Sequence, residues 1–280
     1  MKGKTKMPVE HNKTTYPVAD AHAHIYPGKI ADKATASVGT FYELPMENIG
    51  LPHILKEAGT AAGVDHFLVS SVATKLEQSR SISEFIAAKC RDYKEFTGLG
   101  AWHQDITDID GEFDYIMKLG LKGIKVHPDF QRFNIDDEKM LDVYKEANRR
   151  GLPVLFHTGD NRMDFSSPER LARVVDKIPD FVCIAAHLGG YRRREEARNV
   201  LKGSNVYIDT SSSFFYVTNE EAKESISHFG VDRTMFGTDF PMWSPDTELN
   251  RFFELGFSEE DNRKILFDNF AALFKIDRQL

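Results

Sequence analysis

Strand-length apolar runs recur along the chain at the spacing of one β-strand followed by one α-helix. The runs cover residues 18–25, 64–73, 96–104, 121–129, 153–160, 181–190, 206–213 and 234–241. Their first residues lie 25 to 46 positions apart, which is the length of one strand–helix unit. Several runs are almost entirely apolar, as is typical of parallel strands buried on both faces. Eight such units predict an α/β fold, a single-domain (β/α)8 TIM barrel over residues 16–280.

The segments between the runs carry helix signals. Residues 136–151 begin with acids, place apolar side chains on one face and end at a glycine. Ser167, Pro168 and Glu169 form an N-cap, a first-turn proline and a first-turn acid. Residues 26–52 are less regular, and we expect a long insertion with short helical pieces. The alternative fold is a doubly wound open sheet, which often carries G-x-G-x-x-G after its first strand; this sequence has no such motif there.

Charge and composition exclude several classes of partner. The formal net charge of −7 argues against nucleic acid, because phosphate binding needs a basic field. No apolar run is long enough to span a bilayer, and residues 1–15, which we expect to be a flexible polar tail, lack the apolar core of a signal peptide. Cys90 and Cys183 are too few for a disulfide scaffold or a zinc ribbon. We therefore expect a cytoplasmic protein without membrane or nucleic-acid partners.

Histidines and one aspartate stand at the ends of four of the runs. His22 and His24 end the first run, and their spacing of two puts both imidazoles on one face of a strand. His157, His187 and Asp239 end the fifth, sixth and eighth runs. Each of these alone is more often a hydrogen-bonded structural residue than a ligand. Because barrel active sites lie at the C-terminal strand ends, the five together predict a metal site.

The same residues carry a resemblance to a known family. The pattern H-x-H, His, H-x-G-G and G-T-D-F-P resembles the amidohydrolase superfamily, in particular the amidohydrolase-related branch that contains aminocarboxymuconate semialdehyde decarboxylase and resorcylate-type decarboxylases. The resemblance runs from Asp20 to the closing segment 265–274. It implies that His22, His24 and His157 bind one divalent metal ion, with zinc expected. It also implies that Asp239 is a further ligand and a proton shuttle.

The resemblance assigns His187 to a position beside the water that the metal activates, as base or as polariser of the substrate. A metal ion held by three imidazoles and one carboxylate keeps a position open, and such an ion lowers the pKa of water from about 15.7 to about 7. Catalysis is therefore assigned to His187 and Asp239.

Strand four of the predicted barrel contains Lys125 and His127. They lie two positions apart, so both side chains are expected to face the barrel interior. In two-metal members of the superfamily a modified lysine on this strand bridges the metals. Lys125 lies one inward-facing position deeper in the barrel than that role requires. We expect Lys125 to be buried beside an acid such as Asp20 or Asp209. One metal ion is therefore predicted, with His127 as a substrate contact.

Further substrate contacts are expected in the loops after the strands. The candidates are His103, Arg162, Arg192 and Trp243. An arginine there can bind a substrate carboxylate through two parallel hydrogen bonds. The run of arginines that begins at Arg192 is more often simply a solvated helix face. The expected partner is a small molecule, a carboxylate among the candidates, and a homodimer is common for such barrels.

Three functions fit these residues. The first, which the sequence favours by analogy with the wider superfamily, is a hydrolase in which metal-activated water attacks a small amide, ester or lactone. The second is a metal-dependent non-oxidative decarboxylase of a small carboxylic acid. The third is a barrel that has lost catalysis, which the intact set of histidines and Asp239 argues against. The first two share their metal ligands, and only the release of carbon dioxide separates them.

Overall fold

The computed structural model describes residues 8–201 and 206–276. Its strands are β1 (Val9–His11), β2 (Thr14–Tyr16), β3 (Ala19–His24), β4 (His66–Ser70), β5 (Phe96–Gly98), β6 (Gly100–Ala101), β7 (Ile124–Val126), β8 (Val154–Phe156), β9 (Cys183–Ala185), β10 (Val206–Asp209) and β11 (Thr234–Met235). Its helices are α1 (Ala31–Tyr42), α2 (Pro52–Ala62), α3 (Gln78–Asp92), α4 (Ile109–Lys118), α5 (Pro128–Gln131), α6 (Glu138–Arg149), α7 (Pro168–Lys177), α8 (Arg194–Val200), α9 (Asn219–Phe229), α10 (Pro245–Glu254), α11 (Glu259–Arg263) and α12 (Asn269–Phe274).

The parallel strands β3 to β11 close into a ring. β3, β4 and β5 pair in that order, and β6 to β11 pair consecutively. Only Leu99 separates β5 from β6, and its N–H still donates to the carbonyl of Val69, so the two segments are one barrel strand. The ring closes where the N–H of Ala21 donates to Phe236 O at 2.8 Å. The (β/α)8 barrel prediction is confirmed, and the open-sheet alternative is wrong.

Apolar residues of the strands form two clusters. One lies between strands and helices and includes Ile124, Val154 and Ile208. The alternate strand residues, among them Leu68, Leu155, Ile184 and Met235, form the second cluster together with Phe267, Phe270 and Phe274 of the closing helical segment. This second cluster fills the barrel interior, because alternate strand residues face the ring axis. The cavity described below lies at the C-terminal strand ends, beyond this cluster.

Helix ends follow the signals that the sequence contains. Ser167 caps α7 by accepting the N–H of Arg170, and Pro168 is its first residue. Ser258 caps α11 in the same way by accepting from Asp261. α9 begins with a reciprocal capping box between Thr218 and Glu221. None of the described helices is both long and apolar enough to cross a membrane.

Two expectations differ from the structure at the N-terminal side. The 26–52 insertion, expected to be largely irregular, contains the twelve-residue helix α1. Within the predicted tail, β1 and β2 pair as an antiparallel hairpin, and the ring of His11 stacks on Phe253 at 4.2 Å. The contact between His11 and Phe253 of α10 therefore orders the residues of this hairpin, which the sequence shows only to be polar. Residues 1–7 of that tail, and residues 277–280 at the other end, lie outside the described residues.

Candidate metal centre and active site

A cavity of about 870 Å³ opens at the C-terminal ends of the barrel strands. Its inner wall carries polar side chains from five strands or the loops that follow them: His22, His24, Lys125, His127, His157, His187 and Asp239. His22 and His24 reach it because the register of β3 against β4 shifts between Asp20 and Ala23. Such a bulge re-aims side chains, and bulges are common beside active sites.

Asp209, at the end of β10, determines the tautomer of His22. His22 Nδ1 lies 2.9 Å from Asp209 Oδ2, with both side chains buried. Burial opposes ionisation of Asp209, but the adjacent His22 and Ser211 lower its pKa to about 2. A carboxylate can only accept, so Nδ1 of His22 carries the proton and Nε2 presents a lone pair. Burial and the nearby Lys125 lower the pKa of His22 to about 4, which keeps the ring neutral.

His22, His24 and Asp239 form a set with metal-ligand geometry. His24 Nε2 lies 3.3 Å and His22 Nε2 3.7 Å from Asp239 Oδ1, and one ligand atom from each residue lies within 4.8 Å of the others. Burial raises the pKa of Asp239, but His24 and the other histidines outweigh it and hold that pKa well below the usual range. Neutral imidazoles and an ionised carboxylate are the donors that divalent transition metals bind. The residues therefore fit a divalent metal ion.

Hydrogen bonds from residues outside the described cavity lining orient Asp239. Its Oδ2 accepts from Ser212 Oγ at 2.5 Å, and Ser212 Oγ accepts from Trp243 Nε1 at 3.1 Å. Trp243 was expected to contact substrate. In the structure it supports Asp239 through Ser212, and its ring packs 4.7 Å from Phe215.

His157 and His187 form a hydrogen-bonded pair beside this set. His187 Nδ1 lies 3.0 Å from the carbonyl oxygen of Ser211, so we assign the proton to that nitrogen. His187 Nε2 then accepts from His157 Nδ1 at 3.0 Å, which leaves Nε2 of His157 with a lone pair. The His187 ring lies 5.2 Å from that of His22. His157 thus connects to His22 through His187, and its role as a direct ligand stays a prediction.

Lys125 is buried, as expected, but its contact differs from the expected one. Its Nζ lies 3.1 Å from Nε2 of His22, whereas Asp20 accepts from Thr238 and Asp209 from His22. Burial lowers the pKa of Lys125 to about 8. The amine therefore belongs to the polar end of the cavity.

Tyr42 is a site residue that the sequence analysis missed. Its hydroxyl oxygen lies 2.9 Å from His127 Nε2 and 3.4 Å from both ring nitrogens of His157. Burial, with Asp239 nearby, raises its pKa well above the ordinary value, so the hydroxyl keeps its proton. Tyr42 ends α1, in the insertion predicted to be irregular, and no motif marked it.

The predicted substrate contacts separate into two groups. His127 lines the cavity, with its ring stacked 4.0 Å from that of His157. Within the described lining, His103, Arg162, Arg192 and Trp243 are absent. Arg162 binds Asp160 through two hydrogen bonds of 3.0 and 2.6 Å and donates to the carbonyl of Phe41. These bonds direct the guanidinium at Asp160 and Phe41, and a contact between Arg162 and substrate stays a prediction.

The other two candidates are also engaged elsewhere. The guanidinium of Arg192 lies 4.0 Å above the ring centre of Tyr216. His103 is buried, and its Nδ1 accepts from the N–H of Asp105 at 3.2 Å. Burial lowers the pKa of His103. Neither residue lines the described cavity, and their contacts with substrate stay predictions.

Comparison with known proteins agrees with this architecture. A sequence profile of the amidohydrolase family matches residues 19–276. A gamma-resorcylate decarboxylase from Polaromonas is 34% identical over 74 residues, a match that spans 26% of this chain and 22% of that protein.

Two solved structures share the fold. The dihydroxybenzoic acid decarboxylase of Polaromonas, which contains manganese and 2-nitroresorcinol, has a TM-score of 0.72 at 16% identity, over 94% of this chain and 98% of that one. A probable 2-pyrone-4,6-dicarboxylic acid hydrolase from Acinetobacter baumannii, with citric acid bound, has a TM-score of 0.70 at 13% identity, over 92% and 99%. At these identities the likeness shows the common barrel.

Proposed function

Because the chain belongs to the amidohydrolase family, we propose that it is a metal-dependent enzyme that removes carbon dioxide non-oxidatively from a small carboxylic acid. The observation that carries this proposal is the convergence of His22, His24 and Asp239 at the inner end of a largely apolar cavity. The manganese in the decarboxylase of Polaromonas supports a divalent ion. The hydrolase that the sequence favours becomes the second candidate.

His22, His24 and Asp239 would hold the metal, with His157 as the expected fourth ligand. A divalent ion in that place would supply Lewis-acid polarisation of the substrate's oxygen atoms. Asp209 keeps the lone pair of His22 directed at the site, and such supporting bonds tune both the orientation and the basicity of a ligand. We expect zinc or manganese to serve, because both accept imidazole and carboxylate donors.

The chain's own residues would manage the proton. Loss of carbon dioxide breaks a carbon–carbon bond and leaves the electron pair on the substrate carbon, which must then take up a proton. We assign the transfer to Asp239, which would accept a proton from a hydroxyl group of the substrate and return it to that carbon. His187 and Tyr42 would hold the substrate's oxygen atoms by hydrogen bonds. The apolar outer wall would exclude water from the carbanion-like centre.

Hydrolysis is retained because the same residues could also activate water. The barrel of the probable pyrone dicarboxylic acid hydrolase supports this candidate through its fold alone. Hydrolysis and decarboxylation differ in product, and the experiment must therefore measure carbon dioxide.

The test uses full-length protein stripped with a chelator and reloaded with either zinc or manganese. Hydroxybenzoic acids, lactones, esters and amides are supplied in parallel, and carbon dioxide and hydrolysis products are measured. We expect carbon dioxide release that needs metal and that falls about 10²- to 10⁴-fold in Asp239→Asn, a loss typical of general acid–base groups.

Asp246→Asn, at an exposed position in the first turn of α10, is the matched control and should retain full activity. Metal-dependent turnover without carbon dioxide would replace the proposal by the hydrolase. Full activity in Asp239→Asn would remove Asp239 from the chemistry.

A further inference from the structure

We infer that the outer part of the cavity, between α1 and α3, binds an apolar substituent of the substrate, an alkyl or aryl chain several carbons long. We call this part the apolar channel; its walls carry Ile30, Ala34, Val38 and Phe41 on the side of α1, and Ile82 and Phe85 on the side of α3. The inference deepens the proposed function, because the acid group of such a substrate would lie at His22, His24 and Asp239.

One face of α1 forms the first wall. Ile30, Ala34, Val38 and Phe41 line the cavity at spacings of four, four and three residues, the period of a single helix face. Within the described residues none of these four belongs to the two apolar clusters of the barrel. Ile30 is 51% exposed. The barrel core thus leaves Ile30, Ala34 and Val38 available, whereas Phe41 also packs against Phe130, with 4.6 Å between the ring centres.

One face of α3 forms a second wall. Gln78, Ser81, Ile82 and Phe85 line the same cavity at spacings of three, one and three residues. Ile82 and Phe85 are only partly buried, although they pack against the main core. Across the described lining, the side chains that α1 and α3 contribute are uncharged.

Polarity therefore divides along the length of the cavity. Tyr42, at the C-terminal end of α1, contacts His127, whereas Ile30 precedes its first residue. Twelve helical residues span about 18 Å, so the apolar wall extends well away from the histidines. The volume of about 870 Å³ lies in the upper part of the range of 300–1,000 Å³ that is usual for ligand pockets. An acid with an apolar chain matches this division, with its acid group at the histidines and its chain along the apolar wall.

Position 34 offers a direct test with an internal control. Ala34 faces the apolar channel and Ala36, on the same helix, is exposed. Ala34→Trp fills the channel, whereas Ala36→Trp adds the same side chain on the solvent face. Circular dichroism checks that both variants are folded.

The metal-loaded protein is titrated calorimetrically with 2-hydroxybenzoic acids that carry 4-alkyl chains of zero to eight carbons. A neutral series of 4-alkylphenols is titrated in parallel. We expect affinity to rise by up to about fourfold per methylene, the value for complete burial of that group. The rise should be retained in Ala36→Trp and lost in Ala34→Trp.

The two series separate failure of this inference from failure of the proposed function. If no acid releases carbon dioxide, but alkylphenol affinity still depends on chain length and on Ala34, the apolar channel is supported and the decarboxylase is not. An affinity independent of chain length in both series overturns the inference. Light scattering measures the molar mass of Ala34→Trp. If affinity does not depend on chain length and this molar mass differs from that of the parent, the face is a contact between copies of the chain, and the inference is again overturned.

Discussion

Single hydrogen bonds determine which atoms of the site are available. The bond from His22 Nδ1 to Asp209 makes Nε2 the unprotonated nitrogen of that ring, and the bond from His187 Nδ1 to the Ser211 carbonyl does the same for His187, whose Nε2 accepts from His157. Ser211 Oγ lies within 3.0 Å of both rings. Asp209, the last residue of β10, and Ser211, two residues later, therefore orient one histidine of β3 and one that follows β9. From the sequence, Asp209 is expected only as a partner of Lys125.

Tyr42→Phe tests the hydroxyl that reaches the histidines from α1. The variant keeps the ring but removes the contacts with His127 and His157, so we expect kcat for the acid substrate to fall about 10- to 100-fold, the loss of one or two hydrogen bonds to a polar group. Steady-state kinetics on the metal-loaded protein measures this. Tyr115→Phe, which removes a hydroxyl bound to Glu84 and is outside the cavity lining, should leave kcat unchanged. Unaltered kinetics in Tyr42→Phe would show that the hydroxyl only fills space.

At the scale of elements, α1 illustrates a helix that depends on its surroundings. Its sequence contains Thr35, Val38, Gly39 and Thr40, residue types of weak helix propensity. Tertiary contacts compensate, because Arg162 donates to the carbonyl of Phe41 and its guanidinium lies 4.6 Å above the Phe41 ring. A residue expected to bind substrate thus fastens the helix that carries Tyr42 to the loop after β8.

The contact between α2 and β4 gives a stability prediction. A Cβ added at Gly59 would lie 2.1 Å from Cζ of the buried Phe67 ring. Gly59→Ala should therefore lower the free energy of unfolding by about 1–3 kcal/mol, the usual effect of overpacking, even though alanine favours helix. Denaturant unfolding measures the change.

Gly28→Ala is the control for this prediction, since its added Cβ would meet only Leu51, at 3.9 Å. We expect the stability of that variant to stay within about 0.5 kcal/mol of the parent. A Gly59→Ala protein as stable as the parent would mean that Phe67 can shift without loss.

At the scale of the whole molecule, closure of the ring brings the first and the last strand of the barrel into one site. Thr238 donates to Asp20 through both its hydroxyl and its N–H, across 218 positions of sequence. The N–H of Asp239 donates to the carbonyl of His22 at 2.8 Å. The cluster of His22, His24 and Asp239 therefore exists only in the closed barrel, because β3 carries the two histidines and Asp239 follows β11.

Glu248 couples the stability of the fold to pH. Burial in α10 raises the pKa of this carboxyl group from 4.5 to about 8. Between these values the folded state holds a proton that the unfolded state has lost, so stability falls as pH rises from about 5 to 8. The slope is at most about 1.4 kcal/mol per pH unit. Unfolding free energies measured from pH 5 to 9 should fall less steeply in Glu248→Gln than in the parent.

The exposed Glu254, at the end of the same helix, supplies the comparison. Glu254→Gln should reproduce the pH dependence of the parent protein. Equal slopes in Glu248→Gln and the parent would mean that Glu248 is ionised in the folded state and stabilised by Arg251, which donates to it at 2.6 Å.

The periodic apolar runs determined the number and order of the strands. A strand buried on both faces must be almost entirely apolar whatever the tertiary structure around it. They also determined which residues stand at the strand ends, and hence the set of His22, His24 and Asp239. The tertiary structure alone decided what no local pattern encodes: that Tyr42 reaches the histidines, that Trp243 donates to the Ser212 that holds Asp239, and that Lys125 contacts His22. Such contacts join residues far apart in sequence, so their partners appear only once the ring has closed.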